Sequence, residues 1–77
     1  MYIIIEIQTP QTGTPAVIVN TRESWAEAKS TYHAILSAAA LSSVYCHAAV
    51  LMDIHGNVDA SEYYTHPGAP ESGDENG

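Results

Sequence analysis

Three stretches of this chain carry apolar side chains on both faces of an extended strand, while only one stretch reads as an amphipathic helix. Ile3, Ile5 and Ile7 alternate with Tyr2, Ile4, Glu6 and Gln8; Val17, Ile18 and Val19 run without a polar break; Val44, Ala48 and Val50 alternate with Tyr45, Ala49 and Leu51. A sheet roofed by one helix has a single dry face, so its strands ordinarily alternate apolar with polar residues. Here the second side is apolar as well. At ~25 cal/mol per Å², leaving two or three such side chains wet forgoes several kcal/mol, a large share of a small domain's stability. The expectation is a homodimer or higher oligomer, packed sheet to sheet or through an alanine-rich helix flank. The residues expected to form that interface are Tyr2, Ile4, Ile18, Tyr45, His47, Leu51 and Tyr64.

The local signals order these stretches along the chain. Tyr2 to Gln8 and Ala16 to Asn20 are rich in β-branched residues, and Thr9 to Pro15 between them packs two prolines and a glycine, which predicts a hairpin. Ser24-Trp25-Ala26-Glu27 matches a capping box, in which the serine oxygen and the glutamate satisfy free N–H groups at a helix start. Trp25, Ala28, Tyr32, Ile35, Leu36 and Ala39 then recur at helical spacing, and Ser42-Ser43 ends the run. Val44 to Asp53 and Val58 to Thr65 form a second hairpin about Gly56. With His55 and Gly56 as its loop, His47, Ala49 and Leu51 share a face with Tyr64, Glu62 and Ala60. The predicted fold is α+β, a ββαββ domain over residues 1–66: a four-stranded antiparallel sheet with the helix on one face. Residues 67–77, with Pro67, Gly68, Pro70, Gly73 and three acids, read as a disordered acidic tail.

Size and charge exclude several classes. A chain of 77 residues holds one domain with a thin core. Its only cysteine, Cys46, rules out an internal disulfide and any multi-cysteine zinc pattern. With a net charge of −7 and only Arg22 and Lys29 as fixed cations, phosphate-neutralising contact with nucleic acid is disfavoured. The longest apolar run is too short to span a membrane, and the start lacks the basic region of a signal peptide, so the expected location is intracellular.

No constellation carries chemistry. Cys46 and His47 are neighbours on a strand, so their side chains point to opposite faces and form no catalytic pair. Gly13 and Gly56 stand alone, so neither loop is a phosphate cradle, and no serine sits in a nucleophile elbow. Of four histidines, only His47, with Tyr64, Glu62 and His66 near it in the hairpin register, has neighbours for metal or proton chemistry, and a structural role is preferred for it. The expectation is a non-enzyme without metal or cofactor. A candidate ligand site gathers Arg22, Lys29, His33 and Trp25 near the helix start, where free N–H groups favour anions. The plainer reading pairs Arg22 and Lys29 with Glu23 and Glu27.

Taken together, Tyr2 to Thr9, Glu27-Ala28 with Tyr32-His33, Ala38-Ala39-Ala40, Ser42-Ser43-Val44, His47, Ala49-Val50-Leu51, Gly56, and Glu62 with Tyr64 and His66 resemble short phage and prophage proteins of Gram-positive anaerobes. The resemblance covers residues 2 to 66, apart from the Pro10 to Pro15 loop. It implies a small phage accessory protein, in the host cytoplasm or on the virion, and carries over no site residue. Two functions fit: self-assembly with protein contact, to itself or to a host or phage protein; or counter-defence, as a nucleotide-signal sponge or an inhibitor docked on a defence enzyme.

Overall fold

The computed structural model describes residues 1–66, and the expected tail lies outside them. Its elements are β1 (Tyr2–Thr9), β2 (Ala16–Arg22), α1 (Trp25–Leu41), β3 (Cys46–Asp53) and β4 (Val58–Thr65). They form one four-stranded sheet in the order β2-β1-β3-β4, every neighbouring pair antiparallel. This is the ββαββ arrangement the sequence predicts. Its two hairpins are joined through the pairing of β1 with β3, which runs unbroken from Tyr2↔Asp53 to Thr9↔Cys46.

Both helix ends are closed by the residues the sequence offers. Ser24 is extended, and its Oγ accepts the N–H of Glu27 at 3.1 Å. At the other end the Ala39 carbonyl accepts the Ser42 N–H at 3.2 Å and the His66 Nε2–H at 2.8 Å, which ties the end of β4 to the helix. Ser42 Oγ also takes the Val44 N–H at 2.9 Å. That bond holds the connection in a turn, so β3 begins at Cys46 rather than at Val44.

The helix buries Ala28, Tyr32, Ile35 and Ala39, the first three packed with Ile4, Ala49 and Leu51 of the sheet. Ala28, Ala39 and Ala49 are all 0 % exposed, so the two layers approach closely through small side chains. Trp25, expected on the same stripe, is 42 % exposed and meets Tyr2 edge to face with ring centroids 5.6 Å apart. Ile4 and Leu51 are the only large side chains fully buried among the described residues. One layer of contact therefore supports the whole domain.

The second hairpin turns on Asp53 and Gly56. Asp53 Oδ1 accepts the N–H groups of His55 and Asn57 at 2.8 and 3.0 Å, and Gly56 takes a φ of 86°, which side chains bearing a Cβ rarely adopt. The register is the one expected, His47↔Tyr64 to Leu51↔Ala60, with a bulge that makes Asp59 the extra residue before Met52↔Val58. Hydrogen bonds from the Asn57 backbone and side chain, and then from the His55 N–H, hold the Asp53 carboxyl below its ordinary 3.8. A lowered carboxyl stabilises the fold above that ordinary value, and the contribution disappears as pH falls through the lower folded value. Urea titrations of the protein and of Asp53→Ala are expected to differ by a constant amount from neutral pH down to 3.8, and to converge below it. A gap that widened on acidification would contradict this turn.

Candidate functional site

The strand registers divide the sheet's side chains into two sets. On the side away from α1 the rows across the sheet read Thr21-Ile3-Met52-Val58, then Val19-Ile5-Val50-Ser61, then Val17-Ile7-Ala48-Tyr63, and last Thr9-Cys46-Thr65. No paired residue on this side is charged. Val17, Val19, Val58 and Tyr63 are each more than half exposed, and Ala48 and Ser61 leave a hollow of about 480 Å³ beside Val50 and Tyr63.

On the helix-facing side the rows read Arg22-Tyr2-Asp53, Asn20-Ile4-Leu51-Ala60, Ile18-Glu6-Ala49-Glu62 and Ala16-Gln8-His47-Tyr64. Every charge in the paired rows lies here, around the rim of the helix. The usual distribution, charge on the wet side and hydrocarbon on the covered side, is thus inverted between the faces.

This placement corrects the expected interface. Ile4 and Leu51 are 0 % exposed and His47 is 4 % exposed, all beneath the helix, so they make no contact outside the subunit. Tyr2 packs against the core and against Trp25. Tyr64 is partly exposed beside the helix, Ile18 stays exposed at the β2 edge on the helix-facing side, and Tyr45 is partly exposed just before β3. The face left without cover is the opposite one. The signal that finds it is the absence of charge along Ile3, Ile5 and Ile7 and along their cross-strand partners.

His47 answers the question its position in the sequence raises. Glu6 Oε2 accepts hydrogen bonds from His47 Nε2 at 2.5 Å and from Gln8 Nε2 at 2.9 Å. The other ring nitrogen, Nδ1, is buried with no partner. Tyr64 lies across the strand pair from His47, but Glu6 is the group that holds the ring. Glu6 thus satisfies one of the two ring nitrogens of a buried histidine; among the described residues no cluster of three potential metal ligands occurs. Glu6→Ala is expected to lower unfolding free energy by about 1–3 kcal/mol, since it leaves the His47 Nε2–H buried without an acceptor. Glu6→Gln keeps an acceptor in place and is expected to cost less in the same urea titration.

Of the four residues of the expected ligand site, Lys29 lies beside both Trp25 and His33, and Arg22 stands apart. Lys29 and His33 line a groove of about 750 Å³ between α1 and β4, with Tyr32, Leu36, Glu62 and Tyr64. Arg22 lies on the other flank of α1, beside Ala26, Glu27, Ser30 and Thr31. The Lys29 ammonium sits 5.1 Å from the Trp25 ring centroid and 5.6 Å from that of Tyr32, held by aromatic faces. Among the described residues neither Arg22 nor Lys29 forms an ion pair, so the expected pairing with Glu23 and Glu27 is not present either. Burial, with Glu62 and Tyr64 adding to it, raises the Tyr32 phenol above its ordinary value and keeps it protonated. One lysine and one histidine facing Glu62 make a groove of mixed charge, poorly suited to a phosphate-rich ligand.

No family model matches the chain, and no similar curated protein or solved structure was found.

Proposed function

We propose that this chain is a small non-enzymatic phage accessory protein that acts by associating with copies of itself through the open face of its sheet. The resemblance supplies the phage setting. The mode of action is supported by one observation: the side of the sheet that the helix leaves bare carries no charge in its paired rows, while the covered side holds Arg22, Glu6, Asp53 and Glu62. A second copy presents the same uncharged surface, so two copies match without placing like charges together.

The dimensions also suit a pair. Strands of about eight residues at about 3.4 Å each, four abreast at about 4.8 Å, span a face of about 500 Å². Two facing copies therefore remove at least about 1,000 Å² from water, where specific interfaces begin. Among the described residues no helix is long and apolar enough to cross a membrane. The test is light scattering on the eluted protein, with Val50→Lys beside the wild type. A multiple of the 8.2 kDa chain mass that falls in Val50→Lys is the expected result; a wild type that elutes as one chain at micromolar concentration overturns the proposal.

A further inference from the structure

We infer that β2 is a pairing edge, and that it takes β2 of a second copy in antiparallel register, extending the sheet to eight strands. The two edges of this sheet are built differently. β4 has the devices that blunt an edge: the bulge at Asp59, and the charges of Asp59 and Glu62. β2 has none of them over its first half. Ala16-Val17-Ile18-Val19 contains no charge and no proline, and its register to β1 runs unbroken from Gln8↔Ala16 to Tyr2↔Arg22.

The outer side of β2 presents backbone N–H and C=O groups that no other strand among the described residues meets. Alternating donors and acceptors at strand spacing are satisfied together only by another extended strand. A second β2 fits on three counts. Antiparallel pairing about a two-fold axis at Ile18 sets Val17-Ile18-Val19 of one strand against the same three residues of the other. It carries the two Arg22 side chains to opposite ends of the pair, so the strand's only cation never meets its copy. It also explains Ile18, which is 43 % exposed and points to the helix-facing side, as its partner Glu6 does. Covering the open face leaves Ile18 wet, whereas pairing at the edge lays it beside its mate.

This contact is separate from the one proposed above, and the two are compatible. Two isologous contacts, one at the edge and one across the open face, close into a four-chain assembly with mutually perpendicular two-fold axes.

The experiment uses Ile18→Lys, which sets two ammonium groups across the strand pair while leaving every open-face residue in place. Ile18→Thr, still β-branched, is its control. Light scattering is expected to give four times the 8.2 kDa chain mass for the wild type and Ile18→Thr, half of that for Ile18→Lys, and one chain for Ile18→Lys combined with Val50→Lys. Hydrogen exchange reads the edge directly. Alternate amides of residues 16–22 are expected to exchange slowly in the wild type and fast in Ile18→Lys. If the open-face reading fails and this one holds, the wild type is two chains and Ile18→Lys is one. Fast exchange at every second β2 amide in the wild type, or an Ile18→Lys mass equal to the wild-type mass, overturns the pairing.

Discussion

Leu51→Ala is expected to destabilise the domain by about 2–5 kcal/mol, the range measured when a buried leucine is truncated. Leu51 is 0 % exposed and lies between Ile4 and Ala60 in its row, under the helix residues Tyr32 and Ile35. The loss belongs at the upper part of that range in its effect, because the core has few other large members to share the load. A chain this small has stability near the low end of about 5–15 kcal/mol, so a loss of about 3 kcal/mol shifts the folded-to-unfolded ratio about a hundredfold. Leu41, at 89 % exposure, is the matched control: Leu41→Ala is expected within about 0.5 kcal/mol of the wild type. Urea unfolding followed by circular dichroism separates the two. Equal midpoints for both variants would mean that the helix covers the other face of the sheet. The comparison must be made at one protein concentration, since a self-associating chain gains apparent stability as its concentration rises.

The elements were legible in the sequence because each has a local cause. Ser24 and Glu27 mark the helix start, the spacing of Ala28, Tyr32, Ile35 and Ala39 marks its buried stripe, and Gly56 with its positive φ places the second hairpin in register. The phase of the sheet was not legible in the same way. Alternation says that Ile4, Glu6 and Gln8 share a side, but not that the helix covers it. Glu6, Gln8, His47 and Glu62 make that side look wet, and the structure eases the conflict by letting Glu6 accept from both His47 Nε2 and Gln8 Nε2. The cue pointing the right way was size. Ala49 and Ala60 on the sheet complement Ala28 and Ala39 on the helix, although Ala48 and Ser61 on the other side weaken the cue. The pairing of β1 with β3, a contact between residues 37 to 51 positions apart, has no local signature at all. The separation of Arg22 from Lys29 was hidden for a related reason: Arg22 ends β2 while Lys29 lies on α1, and the connection between the two elements leaves them on opposite flanks of the helix.

Val50→Lys is expected to weaken association across the open face about a thousandfold or more. Val50 stands in the middle row of the open face, between Ile5 and Ser61. In a two-fold interface one substitution introduces two ammonium groups, each pressed against hydrocarbon with no carboxylate in the paired rows of either facing side. Even after partial escape to water, each costs about 2 kcal/mol. Two of them cost about 4 kcal/mol, which is about three powers of ten in Kd. The subunit itself tolerates the change better, because alone it leaves that side of the sheet open to water, so the β-sheet signature in circular dichroism should persist while the mass falls. Glu62→Lys provides the contrast: it changes the net charge by two rather than one, but on the helix-facing side. If bulk charge governed association, Glu62→Lys would have the larger effect; if the open face governs it, Glu62→Lys keeps the assembly and Val50→Lys loses it. Sedimentation velocity of the two variants at matched concentration distinguishes these outcomes, and an intact assembly in Val50→Lys would remove the open face as the contact.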